Sequence, residues 1–176
     1  MSYSVHDKAS APANARAPLE KAESAYGFVP NLLGVMAESP ALLEAYMTMG
    51  EIFEKTDFSA SEKQVVLLAV SADNECGYCT AAHTAIASMQ GVPEDVAKAA
   101  AAGREIDDSR LEALRQFTGK VVSSRGNPAE DDIASFLDAG YERRHVLDII
   151  TGVGMKTLSN YTNHIAETPV DSQFGG

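Results

Sequence analysis

The sequence lacks the features that define several large classes of protein. It has 14 basic residues against 25 acidic ones, and the resulting formal net charge of −11 would repel nucleic acid and the anionic face of a membrane. No apolar run approaches the ~18 residues that a membrane-spanning helix needs, and the N-terminus lacks the charged and apolar regions of a secretory signal. We therefore expect a cytoplasmic protein with no nucleic-acid partner and no membrane partner.

Sequence motifs for cofactors and for β-structure are also missing. There is no phosphate-binding glycine loop, no dinucleotide fingerprint and no apolar–polar alternation typical of strands. The chain of 176 residues, 45% of them apolar, has the size and composition of one globular domain with a real core. We predict an all-α fold, a compact multi-helix bundle, and expect no cofactor.

The helical patterns suggest how the chain is organised. Residues 1–17 show no periodicity, which predicts a flexible N-terminal arm. Residues 18–168 are predicted to form a single helical domain, and residues 169–176 a C-terminal tail. The stretch Ser59-Ala-Ser-Glu62 is a capping box, and it precedes a helix that is apolar nearly all round and is therefore predicted to be buried.

The last predicted helix runs from Tyr141 to about Glu167. Gly152 and Gly154 lie inside it, and each interior glycine costs about 1 kcal/mol against alanine, so a close helix crossing would account for them. The helix also holds a set of apolar residues: Val146, Ile149, Ile150, Val153, Met155, Leu158, Tyr161 and Ile165.

Both cysteines of the chain occur together, in the stretch from Asn74 to His83. Cys76, Cys79 and His83 have spacings of three and four residues, which place them on one face of a helix. Two thiols in the first turn of a helix can close a reversible disulfide. The helix N-terminus and a nearby imidazole both lower a cysteine pKa. The spacing therefore predicts a redox-active dithiol with a nucleophilic thiol.

Cysteines and a histidine at this spacing also allow two other interpretations. Cys76 and Cys79 could be small core residues beside a structural histidine, but two unrelated cysteines seldom fall in register with a histidine. With His83 they also supply three zinc ligands, whereas a structural zinc site needs four and the chain has no further cysteine. Neither interpretation explains the pattern as well as a dithiol, and no metal is predicted.

The motif carries a family resemblance. Cys76-Gly-Tyr-Cys79-Thr-Ala-Ala-His83 resembles the core of alkylhydroperoxidase D-like proteins in the carboxymuconolactone decarboxylase superfamily. Tyr26-Gly-Phe-Val-Pro-Asn31 and Asn160-Tyr-Thr-Asn-His164 resemble its peroxidase-related branch. The resemblance implies an all-helical fold, a homo-oligomer (dimer, trimer or hexamer), and reduction of a small hydroperoxide at the expense of a thiol or dithiol reductant.

The resemblance also implies roles for individual residues. Cys79 would attack the peroxide, Cys76 would resolve the sulfenic acid, and His83 would relay protons. The family pattern has a glutamate twelve residues before the first cysteine, where this chain has Gln64. An amide cannot take a proton at neutral pH, although it can orient the imidazole, so this difference bears on the peroxidase rate.

Two functions of other classes remain open. In the first, the protein is a redox-sensing or scaffold module, in which the same disulfide changes assembly without turnover. In the second, it is a decarboxylase-type lyase like the other branch of the superfamily, which does not depend on a dithiol. No cluster of cationic residues for a carboxylated lactone is evident in the sequence.

Overall fold

A computed structural model describes residues 3–175 of the protein. Within this range the chain forms nine α-helices, one short 3₁₀ turn at Ser172–Phe174 and no strand, which confirms the predicted all-α fold. None of these helices has the length and hydropathy needed to cross a lipid bilayer. The helices are α1 (Ala13–Tyr26), α2 (Asn31–Met36), α3 (Pro40–Phe53), α4 (Ala60–Asp73), α5 (Gly77–Met89), α6 (Glu94–Ala101), α7 (Ser109–Ser123), α8 (Glu130–Asp138) and α9 (Arg143–Ala166).

Helix α4 occupies the centre of the bundle and packs against α5, α6, α7 and α9. The predicted capping box is present at its start: Oγ of Ser59 accepts a hydrogen bond from the Glu62 amide, and the Glu62 carboxylate accepts one from the Ser59 amide at 2.8 Å. Every residue at positions 64–71 is buried. A helix covered on all sides has little freedom to shift, so whatever is attached to its end is held firmly.

A Schellman motif joins α4 directly to α5. The amide of Cys76 donates to the carbonyl of Ser71, and the amide of Glu75 donates to that of Ala72, both at 2.9 Å. Glu75 takes the left-handed conformation, with φ of 54°, where glycine is usual. Cys76 follows as the N-cap of α5. The end of the buried helix therefore sets the position of the first cysteine with no loop between.

The N-terminal helix begins earlier than predicted. α1 starts at Ala13, inside the predicted arm, and contains Pro18, which was expected at a first helical position. The amide of His6 also donates to the carbonyl of Gly34 on α2 at 3.1 Å. The helix begins early because small and apolar residues recur there at helical spacing and are all buried: Ala11, Ala15, Leu19 and Ala22.

The crossing predicted for the glycines of α9 is present at Gly152. A Cβ added there would lie 2.8 Å from Cγ1 of Val66 and 3.0 Å from Cε2 of Phe53. At Gly154 it would meet only the flexible end of Met49. Gly152 thus allows α9 to approach α4 and α3 closely.

Along much of α9 the apolar residues do not mark the buried face. Leu147, Ile150, Tyr161 and Ile165 are each more than half exposed. The buried positions in the second half of the helix are largely polar: Lys156, Ser159, Asn160 and Asn163. Spacings of three, four and seven residues place these four side chains on one face, so a polar stripe of α9 faces the interior.

Candidate active site

The two cysteines lie in the first turn of α5, where Cys76 is the N-cap and Cys79 the third helical residue. The two are not joined in a disulfide, and both are buried. Nδ2 of Asn163 lies 3.3 Å from Sγ of Cys79 and 3.8 Å from Sγ of Cys76, so one amide of α9 contacts both sulfurs. The positive end of the helix dipole adds to this donor, and together they favour a negative charge on sulfur.

The two thiols have opposite acidities. The hydrogen bond from the Cys76 thiol, together with the charge of Lys156 and the Ser159 hydroxyl 3.6 Å away, holds the pKa of Cys79 well below that of an ordinary cysteine. The same Cys76–Cys79 hydrogen bond and burial raise the pKa of Cys76. Cys79 is therefore the more acidic thiol of the pair and ionises first.

Lys156 is the residue that the sequence analysis missed. Its side chain is completely buried, and among the residues described its Nζ has no hydrogen-bond partner. The sequence contains a pattern that could have indicated its burial. Four polar residues of α9 are spaced so that they share one helix face, although the prediction for this helix used only its apolar residues: Lys156, Ser159, Asn160 and Asn163. Buried lysines are rare unless paired, so this position is unusual for the interior of a helical bundle.

His83 belongs to a chain of side-chain hydrogen bonds. Its Nδ1 lies 3.1 Å from Oε1 of Gln64, and Nε2 of Gln64 donates to Oε1 of Gln90 at 3.0 Å. Because Oε1 can only accept, Nδ1 carries the hydrogen and Nε2 keeps a free lone pair. Burial, with a smaller effect of the Lys156 charge, lowers the pKa of His83 well below its ordinary value, so the ring is uncharged.

Direct hydrogen bonds connect only some of the predicted site residues, which are Cys76, Cys79, His83 and Gln64. Gln64 bonds His83 as expected for an orienting amide. Among the residues described, no hydrogen bond links His83 to either sulfur. Over the same range no group of three or more His, Cys, Asp or Glu side chains is arranged to hold a metal ion. The side chains that act on the Cys79 sulfur are instead Cys76, Lys156, Ser159 and Asn163.

A cavity of about 340 Å³ reaches these side chains. Of the two cysteines, Cys79 lines it, together with His83, Gln64 and Lys156. Its volume is at the lower end of the range for small-molecule sites. The remaining wall is largely apolar and includes Leu32, Leu33, Met47, Phe53, Leu67, Ile86, Met155 and Phe174.

The C-terminal segment closes one wall of this cavity. The buried Asp171 accepts a hydrogen bond from the hydroxyl of Tyr78 at 2.6 Å and another from the amide of Asn31 at 3.0 Å. Phe174 then packs edge-on against Phe28 and Tyr78. Tyr78 lies between the two cysteines in the sequence, so the dithiol helix holds the predicted tail in place.

Comparison with known proteins agrees with this geometry. Residues 40–118, which include the dithiol, match the carboxymuconolactone decarboxylase family. No curated protein sequence matches the chain significantly. Among solved structures, the alkylhydroperoxidase AhpD core of an uncharacterized peroxidase-related protein from Ralstonia eutropha JMP134 is 25% identical, with a TM-score of 0.86 over 98% of this chain and 93% of that one.

Two further structures share the fold at lower identity. An uncharacterized peroxidase-related protein from Silicibacter sp. TM1040 is 20% identical, with a TM-score of 0.83 over 100% of this chain and 93% of that one. A cysteine-to-alanine variant of the debrominase Bmp8, in complex with 2,3,4-tribromopyrrole, is 16% identical, with a TM-score of 0.78 over 93% of this chain and 88% of that one. The family match, the all-helical fold and the position of the Cys-x-x-Cys motif at the start of α5 agree: residues 40–118 match the carboxymuconolactone decarboxylase family, and the fold as a whole is similar to that of alkylhydroperoxidase D-like, peroxidase-related proteins.

Proposed function

We propose that the protein is a thiol-dependent peroxidase that reduces a small organic hydroperoxide through a dithiol–disulfide cycle of Cys79 and Cys76. The observation that carries the proposal is the environment of Cys79, an acidified thiol that lines an apolar cavity of about 340 Å³. An apolar wall suits the organic part of an alkyl hydroperoxide better than it suits water or hydrogen peroxide. The likeness to peroxidase-related proteins supports the same activity.

The cycle has three chemical steps. The Cys79 thiolate attacks the terminal oxygen of the hydroperoxide, the O–O bond breaks, and the alkoxide leaves as an alcohol after taking a proton. The sulfenic acid on Cys79 is then attacked by the sulfur of Cys76, and the disulfide forms as water leaves. A thiol or dithiol reductant finally reduces the disulfide to two thiols, so each turn consumes one hydroperoxide and two thiol equivalents.

In this proposal His83 interacts with the oxygen atoms of the hydroperoxide, and Gln64 orients His83. The uncharged ring has a free lone pair at Nε2, which can accept the O–H of the peroxide or relay a proton. Gln64 fixes the orientation of the ring through Nδ1 but takes no proton itself. The chain therefore retains the geometry of a relay without the carboxylate at its far end.

The test is hydroperoxide consumption by the reduced protein with a dithiol donor such as dithiothreitol. Cys79→Ser should abolish turnover. Cys76→Ser makes the same chemical change three residues earlier and is the matched control. It should still react once with each hydroperoxide equivalent and leave a sulfenic acid on Cys79, detectable by mass after trapping with dimedone. Wild-type turnover by Cys79→Ser would overturn the proposal.

The same experiment separates the two alternatives. A redox-sensing module would form the disulfide with one equivalent of hydroperoxide but show no sustained turnover, and its oligomer size would change on oxidation. A decarboxylase-type lyase would act on a carboxylated lactone equally well after Cys79→Ser. Thiol state before and after one equivalent of hydroperoxide, oligomer size by light scattering, and lactone decarboxylation distinguish the three functions.

A further inference from the structure

The ammonium group of Lys156 is buried without a carboxylate. Among the residues described, its Nζ makes no hydrogen bond and no ion pair, although the side chain is 0% exposed. Burying an ammonium without an opposite charge strongly opposes folding, so a lysine that keeps its charge at such a position needs an anion beside it. The anion that pairs with Lys156 must therefore be one of the ionisable side chains that line the same cavity.

The elements around the cavity leave one good candidate. Helix α5 presents Cys79, the uncharged His83 and the phenol of Tyr78, and α4 presents the neutral Gln64. Two further phenols come from α1 and α3, those of Tyr26 and Tyr46. Burial raises the pKa of all three tyrosines, which keeps the phenols protonated. The carboxylates of the cavity wall, Glu51 and Glu54, are already paired with Lys21 and Lys63. Cys79 remains, and its acidity responds to the Lys156 charge.

We propose that Lys156 is a catalytic residue of the peroxidase, which as an ammonium keeps Cys79 ionised and then donates its proton to the alkoxide that leaves the hydroperoxide. This inference rests on the proposed function. In this inference the proton that the leaving alkoxide receives comes from Lys156 on α9 and not from His83 on α5. It also explains how the chain dispenses with a carboxylate at position 64, because a lysine that begins the cycle protonated makes a separate acid unnecessary.

The proton balance closes over the cycle. At rest the pair is thiolate and ammonium. When the thiolate attacks, the O–O bond breaks, the terminal oxygen keeps its hydrogen in the Cys79 sulfenic acid, and Lys156 gives one proton to the alkoxide and becomes an amine. Disulfide formation releases the Cys76 hydrogen with the hydroxyl as water. Reduction by an external dithiol then delivers two hydrogens, one of which stays on Cys76 while the other passes from Cys79 to Lys156.

The first experiment measures the thiolate directly and requires no peroxide. The ultraviolet absorbance of the thiolate and the rate of alkylation by iodoacetamide are followed against pH on the reduced protein. Lys156→Met keeps the length and shape of the side chain but removes the charge, and it should raise the pKa of Cys79 by about one unit or more, so that the midpoint of the thiolate titration moves to a tenfold lower proton concentration. Lys120→Met, which alters an exposed lysine of α7, is the matched control and should behave as wild type.

The second experiment separates holding the thiolate from donating the proton. Lys156→Arg keeps a positive charge that does not deprotonate in proteins. It should leave the iodoacetamide reaction close to wild type while the single-turnover reaction with an alkyl hydroperoxide slows by about a hundredfold, the lower limit for loss of a general acid. If both rates stay at the wild-type value, Lys156 does not donate the proton. If the arginine does not fit and the protein fails to fold, the hydroperoxide reaction of Lys156→Met, corrected for its thiolate fraction, gives the same comparison.

The outcomes for the two proposals are distinct. A wild-type protein that turns over hydroperoxide, with Lys156→Met titrating as wild type, would overturn the role of Lys156 alone. A raised Cys79 pKa in Lys156→Met, together with a wild-type protein that never turns over hydroperoxide, would support the ion pair but overturn the peroxidase and with it the proton donation.

Discussion

Nδ1 of His83 lies 3.1 Å from Oε1 of Gln64, in the hydrogen-bonding position that a carboxylate would occupy in a proton relay. The amide accepts the same hydrogen bond but carries no charge, and therefore leaves the imidazole neutral. The relation between these two side chains makes position 64 a probe of where the proposed peroxidase reaction would obtain its proton.

Gln64→Glu should raise the pKa of His83, because a carboxylate stabilises the imidazolium that burial now disfavours. The shift should be visible by NMR titration of the ring protons. If Lys156 supplies the proton, kcat/KM for an alkyl hydroperoxide near neutral pH should change by less than about threefold, below the effect of ~10²-fold or more expected of a general acid or base.

The control for this substitution is Gln90→Glu, which introduces the same charge one hydrogen bond further from the ring. It should shift the pKa of His83 less than Gln64→Glu does. A gain of tenfold or more in kcat/KM for Gln64→Glu alone would contradict the assignment to Lys156, because it would show that the natural protein is limited by the missing carboxylate.

Local features of the fold could be predicted from the sequence because their causes are local. The capping box of Ser59 and Glu62 needs only residues three apart, and the placement of Cys76 and Cys79 in a first helical turn follows from a short motif. The crossing at Gly152 was also predicted, since a buried interior glycine has few other uses.

Lys156 could not be placed in the same way. Its importance depends on which helix α9 packs against, and Cys79 lies 77 positions earlier in the chain. The sequence offers apolar residues on several sides of α9, and Leu147 and Ile165 are exposed despite them. Tertiary packing, not the apolar pattern of the helix, decides that the polar stripe faces inward.

The reduced protein should lose stability as the pH falls from about 8.5. The pKa of Cys79 is lowered on folding, so below the unfolded value of ~8.5 the unfolded chain binds a proton that the folded one does not. The lowered pKa of His83 adds a second such proton below ~6.5. Each proton contributes a slope of up to about 1.4 kcal/mol per pH unit to the free energy of unfolding.

The measurement is urea unfolding of the reduced wild type and of Cys79→Ser at several pH values. Between about pH 6.5 and 8.5 the wild type should gain stability relative to the variant as the pH rises, since the serine does not ionise. Above ~8.5 the gain should stop, and the raised pKa of Cys76 should begin to favour the unfolded chain. A difference between the two proteins that is independent of pH would contradict the ionisation of Cys79.

Tyr78→Phe should loosen the C-terminal segment. The substitution removes the donor at 2.6 Å from the buried Asp171 carboxylate, which then keeps the Asn31 amide as its remaining donor among the contacts of the described chain. Leaving a buried charged acceptor underpaired costs about 1–3 kcal/mol of the free energy of unfolding. Because Phe174 lines the cavity, alkylation of Cys79 by iodoacetamide should also become faster.

The matched control is Tyr161→Phe, which removes the hydroxyl of an exposed tyrosine on α9 and should change stability by less than about 0.5 kcal/mol. Urea unfolding and the rate of Cys79 alkylation are compared for the two variants. Equal behaviour of both would mean that the bond from Tyr78 to Asp171 does not hold the segment over the cavity.

Gly152→Ala should destabilise the bundle although alanine is the better helix former. The new methyl group would lie 2.8 Å from Cγ1 of Val66 and 3.0 Å from Cε2 of Phe53, both buried, so α9 must move away from α4 and α3. Overpacking of this kind costs about 1–3 kcal/mol, which exceeds the ~1 kcal/mol that alanine gains over glycine in a helix. Urea unfolding gives the net change.

The contrasting substitution is Gly50→Ala in α3, where the new Cβ would meet Met155 at an ordinary 3.8 Å. With no crowding the helical preference should dominate, and the free energy of unfolding should rise by about 0.5–1 kcal/mol. Adding Val66→Ala to Gly152→Ala removes the atom in closest contact, so the double variant should be more stable than the sum of the two single changes predicts. If Gly152→Ala stabilised the protein as Gly50→Ala does, α9 would not approach α4 as closely as the structure shows, and the polar stripe from Lys156 to Asn163 would lose its fixed position against the dithiol.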